Sequence, residues 1–327
     1  MKAALVIHGG AGALPKSEMS PERAAEFHSA LREAMGRGYG VLRAGGSALD
    51  AVQATVVWLE DCPLFNAGRG SAFTREGTIE MEASIMEGTQ RRAGSATLLR
   101  QVRNPVRLAR EIMTRTPHVC LGGEAAEQFA RHCGLTLEPA SYFFTQFRYD
   151  AMLRLRGTEQ TALSEDVVPS GPLRDSDRSS TVGALARDGA GHLAASTSSG
   201  GTSNKYAGRV GQACQIGSGV YANDATCAVS CTGQGEAFMR GASAFDVSAL
   251  MAYRGLDVMA AAGVVVHERL PAVGGRGGLV ALDAQGNFAL PFNTQGMYRG
   301  WVGDDGLPRT AIYEDWLLGE PYGPPPS

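Results

Sequence analysis

Thr181 is the residue at which a chemical reading of this chain begins. It closes a polar, turn-rich run from Gly157 to Ser180 and opens an uncharged stretch, Thr181-Val182-Gly183-Ala184-Leu185-Ala186, that reads as a buried β-strand. A threonine at such a junction has two uses. It can simply start the strand. If the bond before it is cut, its hydroxyl and a freed α-amine sit on one residue, nucleophile and base together. Later segments supply what such a nucleophile needs. Ser198-Ser199-Gly200-Gly201 and Cys231-Thr232-Gly233 end strands and set hydroxyls beside exposed backbone N–H groups, the donors that stabilise a developing oxyanion. Between them, Gly208-Arg209-Val210-Gly211-Gln212 presents an arginine in a glycine-punctuated loop, suited to gripping a carboxylate bidentately.

Two further groupings carry chemistry-bearing residues. His8-Gly9-Gly10-Ala11-Gly12 follows a short buried strand, Ala3 to Ile7. A phosphate cradle would need the GxGxxG register or GK[ST], and the chain has neither there. The HGG oxyanion loops of esterases accompany a GxSxG elbow, which is absent throughout. A tight turn that lets backbone pack closely is the expectation. Glu80 and Glu82 share one face of a strand, with Ile79, Met81, Ala83 and Ile85 on the other. They could form an acid/base pair, but a solvated face is the simpler expectation.

The elements around these residues follow from local signals. Ser20-Pro21 is an N-cap followed by an N1 proline and opens a helix to about Arg43. Gly45-Gly46 breaks it, and Ser47 with Asp50 starts a second helix, ending near Trp58. Cys62 to Gly70 is a loop. Ala72 to Thr74 and Thr78 to Glu87 alternate around Arg75-Glu76-Gly77 as a hairpin. Helices over Pro105 to Thr114 and Glu124 to His132 flank a short His118 to Leu121 strand. The run 157–180 has no periodicity and reads as an exposed connector. After Thr181 come a hairpin through Asp188-Gly189-Ala190-Gly191, a strand to Ser198, a strand from Ala225 to Cys231, helix starts at Gly235, Asp246 and Asp257, and a hairpin at Asp283-Ala284-Gln285-Gly286. The Pro324-Pro325-Pro326 tail reads as disordered. This order does not alternate as a parallel βαβ array would. It suits an α+β fold of two stacked, mainly antiparallel sheets with helices on both outer faces, an αββα sandwich.

Composition narrows the function classes. The chain has 327 residues, 44% of them hydrophobic, and a formal net charge of −3. That is ample for a large core, and it gives no electrostatic case for binding nucleic acid or a membrane surface. The cysteines are scattered without a CxxC pair and read as small buried hydrophobes of a reduced compartment. The N-terminus reaches His8-Gly9-Gly10 too soon for a signal peptide, and no run suits a bilayer span. A cytoplasmic protein is expected.

Taken in order, Ile7-His8-Gly9-Gly10-Ala11-Gly12, Cys62-Pro63-Leu64-Phe65-Asn66-Ala67-Gly68, Thr181-Val182-Gly183-Ala184, Gly200-Gly201 with Asn204-Lys205, Gly208-Arg209-Val210-Gly211, and Ser230-Cys231-Thr232-Gly233 with Gly235-Glu236 span nearly the whole chain. In this set the sequence resembles the plant-type asparaginase/isoaspartyl peptidase family of N-terminal-nucleophile hydrolases. The resemblance implies a precursor that cuts itself between Ser180 and Thr181 into an α chain, 1–180, with 157–180 a flexible linker, and a β chain, 181–327. The two fold as one domain and assemble as a dimer of αβ heterodimers, a heterotetramer. It implies Thr181 as nucleophile with its α-amine as base, Ser199 beside it, and Thr232 and Gly233 as the oxyanion hole. Arg209, Gln212, Asn66 and Gly233 would bind a small-molecule or dipeptide substrate. No cofactor is implied beyond a structural sodium ion, held by the backbone carbonyls of Leu59, Glu60, Cys62, Phe65, Ala67 and Arg69.

The chain departs from the family pattern at three of these positions. Ser180 replaces a glycine before the nucleophile, and its Cβ restricts the backbone strain that primes self-cleavage. Ser199 replaces a threonine and keeps the hydroxyl. Gln212 replaces the aspartate that grips a substrate α-ammonium, so the acceptor stays and the charge goes. The expected activity is cleavage of β-aspartyl peptide bonds or L-asparagine. Two alternatives are a β-amide substrate lacking a free α-ammonium, and an uncut, non-hydrolytic binding protein on the same fold.

Overall fold

The computed structural model describes residues 4–157, 181–303 and 305–314. The connector, apart from Gly157, and the proline-rich tail therefore lie outside the described residues, as does Ser180.

The helix signals hold at residue level. Helix α1 (Pro21–Arg43) starts where Ser20 Oγ accepts from the Arg23 amide, and it buries Phe27, Leu31, Met35 and Leu42 along one stripe. Helix α2 (Ala48–Asp61) is capped by Ser47, which accepts from the Asp50 amide at 3.1 Å and donates to the Asp50 carboxylate at 2.7 Å. It runs one turn beyond the expected end, because Leu59 and Glu60 are still buried. Helices α3 (Pro105–Arg115) and α4 (Gly123–His132) follow, then α5 (Ala140–Phe143) and α6 (Gln146–Leu155), neither of which is among the expected helices. The second half adds α7 (Gly235–Gly241), α8 (Ser243–Arg254) and α9 (Val258–Val264). Asp257 caps α9, whereas Asp246 lies inside the first turn of α8 rather than at its start.

Among the described residues, twelve strands form two sheets. They are β1 (Ala4–Ala11), β2 (Met81–Glu87), β3 (Ala93–Leu99), β4 (Cys120–Gly122), β5 (Val182–Arg187), β6 (Leu193–Ser199), β7 (Val220–Ala222), β8 (Cys227–Gly233), β9 (Gly277–Asp283), β10 (Phe288–Ala289), β11 (Met297–Val302) and β12 (Pro308–Ala311). The eight-stranded sheet runs β12-β11-β1-β5-β6-β2-β3-β4 and the four-stranded sheet β10-β9-β8-β7. Pairing is antiparallel except between β3 and β4. The His8-Gly9-Gly10 segment is not the tight turn expected. It continues β1 to Ala11 with a register shift between His8 and Gly10, because β11 supplies a partner that a local reading cannot see.

Strands β1 and β5 are buried on both faces. On one side Leu5, Ile7, Val182, Ala184 and Ala186 join the core beneath α1 and α2. On the other, Val6 and Leu185 join Val229, Cys231, Leu279 and Ala281 of the smaller sheet, with α8 and α9 behind. Two-sided burial explains the near-continuous small and apolar run after Thr181. Gly183 lets the sheets meet closely, since a Cβ there would lie 2.0 Å from Ser230 Oγ and 2.4 Å from His8 Nε2. The cysteines divide: Cys214, Cys227 and Cys231 are buried as expected, Cys62 and Cys133 half-buried, and Cys120 exposed on β4. Burial pushes the Cys227 thiol up to about 12, so it behaves as a hydrophobe.

Candidate active site

Strand register gathers the site. Val182 pairs with Ser198, which puts Thr181 across from Ser199, and Ser199 pairs in turn with Glu82 on β2. Thr181, Ser199 and Glu82 thus form a row across the larger sheet, and β8 of the smaller sheet brings Thr232 over it.

The buried Thr181 hydroxyl donates to Ser199 Oγ at 3.2 Å and accepts from Gln212 Nε2 at 3.2 Å. Its backbone nitrogen donates to Thr232 Oγ1 at 3.2 Å. Thr232 Oγ1 also accepts from the Ala11 amide at 3.0 Å. A hydroxyl has two acceptor lone pairs and one proton, so with both lone pairs engaged Thr232 is left to donate. Ser199 Oγ accepts from the Gly201 amide at 2.9 Å, which fixes the turn after β6. Gly233 follows Thr232 as the last residue of β8.

Beneath Thr181 the two sheets are tied by a buried polar chain: His8 Nε2 to Ser230 Oγ at 2.7 Å, and Ser230 Oγ to Thr197 Oγ1 at 2.8 Å. Burial pulls the imidazole down to about 3, so it is neutral at physiological pH.

The loop carrying Arg209 and Gln212 is the second half of the site. Arg209 is mostly buried, and its Nε and Nη2 each donate to a Glu236 carboxylate oxygen at 3.0 Å. The arginine expected to grip a carboxylate ligand bidentately thus has one edge of its fork already taken by Glu236. Its Nη1 makes no hydrogen bond among the described residues. Nor does Gln212 Oε1. Arg209 Nη1 lies against Gly211, where a Cβ would come within 2.6 Å of it, while Gln212 Oε1 borders Gly235, 2.5 Å from a Cβ there and beside the Glu236-bound Arg209 Nη2 at 2.6 Å. An open donor on a cation and an open carbonyl acceptor on one glycine-lined loop are complementary to an α-carboxylate and an α-ammonium.

Glu80 and Glu82 do not form the solvated face expected of them. Both are 4% exposed. Glu80 accepts from the Gly208 amide at 2.7 Å and from Arg100 at 2.7 Å. Glu82 accepts from the amides of Gly211 at 2.8 Å and Ala213 at 3.2 Å, so neither carboxylate is free as an acid/base pair. Burial pushes the Glu80 carboxyl up, but Arg100, the Gly208 amide and nearby Lys205 outweigh it and hold it below its ordinary value. Lys205, a motif residue with no role assigned from sequence, is buried and donates to the carbonyls of Glu80 at 2.6 Å and Gly200 at 2.8 Å. Burial pulls its ammonium down to about 8, Arg209 adding to this and Glu82 and Glu80 opposing it.

Asn66 is fully buried and braces this framework from below. Its Nδ2 donates to the Gly201 carbonyl at 2.6 Å and its Oδ1 accepts from Ala72 at 2.8 Å, so both ends of the amide are engaged by backbone. The 59–69 segment curls tightly after α2. The turn packs so closely that Gly70, which follows it, has no room for a side chain: a Cβ would fall 1.9 Å from the Phe65 carbonyl oxygen. Glu60 Oε1 accepts from Ser198 Oγ at 2.7 Å, while its buried Oε2 has no partner among the described residues.

The family model described as "Asparaginase" matches residues 1–312. An "Isoaspartyl peptidase" of Salmonella typhimurium is 47% identical over 96% of this chain and 99% of its own length. A "Probable isoaspartyl peptidase/L-asparaginase 2" of Arabidopsis thaliana is 40% identical over 95% and 99%. An "Isoaspartyl peptidase/L-asparaginase" of Xenopus laevis is 38% identical over 94% of each. The chain belongs to the asparaginase family, in its plant-type asparaginase and isoaspartyl peptidase branch.

Proposed function

We propose that this protein is an autoproteolytically activated threonine amidohydrolase that cleaves β-aspartyl (isoaspartyl) peptide bonds and L-asparagine. One observation carries the reading: Thr181 has its hydroxyl between Ser199 and Gln212 and its nitrogen against Thr232, beside the open Arg209 and Gln212 groups. The names of its relatives agree with it.

In the precursor, Thr181 Oγ attacks the Ser180 carbonyl. The acyl group moves from nitrogen to oxygen, which breaks the peptide C–N bond and frees the Thr181 α-amine, and water then opens the ester to the Ser180 carboxylate and the Thr181 hydroxyl. That amine, with an ordinary pKa of about 7.7–8.0, then takes the proton from Thr181 Oγ as the oxygen attacks the substrate's β-carbonyl. The Thr232 hydroxyl, with both lone pairs occupied, and the Gly233 amide stabilise the oxyanion. The protonated amine delivers its proton to the leaving nitrogen. Water, deprotonated by the same amine, opens the acyl-enzyme ester and releases aspartate. Arg209 Nη1 takes the α-carboxylate and Gln212 Oε1 the α-ammonium. Asn66 serves this site as a brace for the 200–201 turn.

The wider reading includes the four-layer αββα arrangement, α and β subunits of 1–180 and 181–327 in one domain, assembly as a dimer of αβ heterodimers, and residence in the cytoplasm. A sodium ion would be held by the carbonyls of Leu59, Glu60, Cys62, Phe65, Ala67 and Arg69. The tight curl of that segment and the all-oxygen donor set suit a hard cation, whose role is to stiffen the turn.

A second reading rests on Gln212 itself. A neutral side chain that spends its NH2 on Thr181 suits a β-amide whose α-nitrogen is acylated and uncharged. The primary test is intact-mass analysis of purified protein with assays on a β-aspartyl dipeptide, asparagine and an N-acetyl analogue. Two fragments, one starting at Thr181, are expected from the wild type, and a single full-length inactive chain from Thr181→Ala. A wild type that stays whole and inactive would leave the uncut binding protein as the reading.

A further inference from the structure

Glu82 and Ser84 on one face of β2, with Glu80 just before the strand, are turned against the loop that carries Arg209 and Gln212. Glu80 takes the Gly208 amide, Glu82 takes those of Gly211 and Ala213, and Ser84 Oγ donates to the Ala213 carbonyl at 2.5 Å. The two amides gripped by Glu82 belong to the residues on either side of Gln212, and Gly211 lies two residues after Arg209. A single buried carboxylate therefore straddles the residue that touches Thr181 Oγ1.

We infer that Glu82 is a positioning residue that sets where Gln212 stands, and through it which α-substituent the site accepts. The inference rests on the proposed amidohydrolase reading and deepens it. Its physical basis is acceptor geometry. An ionised carboxylate has two oxygens and only accepts, so it satisfies both N–H groups at once. The isosteric amide has one acceptor oxygen and one NH2. In Glu82→Gln, whichever way the amide turns, a donor faces one of the two backbone N–H groups, and the loop must move to relieve it. The carboxylate also faces Lys205 and Arg209 in a low-dielectric site, where an unbalanced charge is costly. A solvated or general acid/base carboxylate would need none of these contacts.

The test is a double-mutant cycle in kcat and KM on a β-aspartyl dipeptide, using self-processed wild type, Glu82→Gln, Gln212→Ala and the double variant. Exchanging a charge-assisted hydrogen bond for a donor–donor conflict should cost roughly 10-fold in kcat/KM, mostly through KM. In the Gln212→Ala background the same change should cost at most about 2-fold, because the side chain it positions is gone. Should Glu82→Gln not yield folded protein, Ser84→Ala enters the same cycle; it leaves the buried charges alone and releases the Ala213 carbonyl. The expected result is again a smaller loss without Gln212. Additive losses in an active wild type would overturn this inference and leave the proposed activity standing. A wild type inactive on the dipeptide would sink both.

Discussion

In the proposed amidohydrolase, Gln212 is the residue on which substrate choice turns. It offers Nε2 to Thr181 Oγ1 and leaves Oε1 open, so an α-ammonium would meet a dipole rather than a charge. A hydrogen bond to a charged partner contributes about 1.5–3 kcal/mol, against about 0.5–1.5 for a neutral pair. The ammonium keeps its own charge in either case, so the amide forfeits ~1–2 kcal/mol, or roughly 5–30-fold in kcat/KM. Gln212→Asp should accordingly lower KM for asparagine and β-aspartyl dipeptides by about that factor and raise it for an N-acetyl analogue. The structure adds a cost that the residue types alone do not carry. Aspartate cannot donate to Thr181 Oγ1, so part of the gain should be offset in kcat. Paired kinetics on one substrate of each kind decide the matter. A higher KM on the free-amine substrate would move the N-acyl reading ahead.

At the scale of elements, the junction of β8 with α7 does two jobs. Strand β8 ends on Thr232 and Gly233, and the first turn of α7 brings Glu236 to Arg209. Burial pushes the Glu236 carboxyl up, but the Arg209 pair more than offsets this and holds it below its ordinary value. Occupying the Nε–Nη2 edge leaves the end of the guanidinium, with its free Nη1, toward the glycine-lined side of the site. Glu236→Ala should therefore release Arg209 from that orientation. The expected effect is a rise in KM of about 3–10-fold with kcat little changed, modest because the Glu236 side chain is 61% exposed and screened. If KM falls instead, Glu236 competes with the substrate carboxylate and is not a brace.

For the whole molecule, the site depends on two sheets that meet through polar as well as apolar contacts. Thr181 and Ser199 belong to the larger sheet and Thr232 to the smaller, and the His8–Ser230–Thr197 chain fixes their spacing. The folded protein holds His8 neutral down to about pH 3, whereas the unfolded chain takes a proton near 6.5. Between those values the unfolded state binds more protons, so stability is complete above pH 6.5 and is lost as pH falls through the window. One such group steepens the loss by at most about 1.4 kcal/mol per pH unit. His28, which burial pulls down to about 4, adds to it with the same sign. His8→Asn should lower the melting temperature at pH 7 yet show a shallower decline from pH 6.5 to 4.5 than wild type. Equal slopes would mean that His8 is not a source of the acid sensitivity.

Features that rest on near neighbours in the chain were the most legible in the residues themselves. Ser20-Pro21 and Ser47 to Asp50 set helix starts because a cap is satisfied within one turn, and the apolar run after Thr181 required a strand with both faces covered. The sequence also picked out Thr181, Thr232 and the Arg209 loop, since hydroxyls and an arginine among glycines are unusual enough to stand out in a line of text. How those residues are occupied depends on contacts between distant parts of the chain. Gly9 and Gly10 became part of a strand because β11 arrives from nearly three hundred residues away. Arg209 met Glu236, and Glu80 and Glu82 were buried, because a loop far along the chain folded its amides onto β2. Alternation reveals that two glutamates share a face. Whether that face meets water or a row of N–H groups depends on long-range packing, which leaves no local periodic trace.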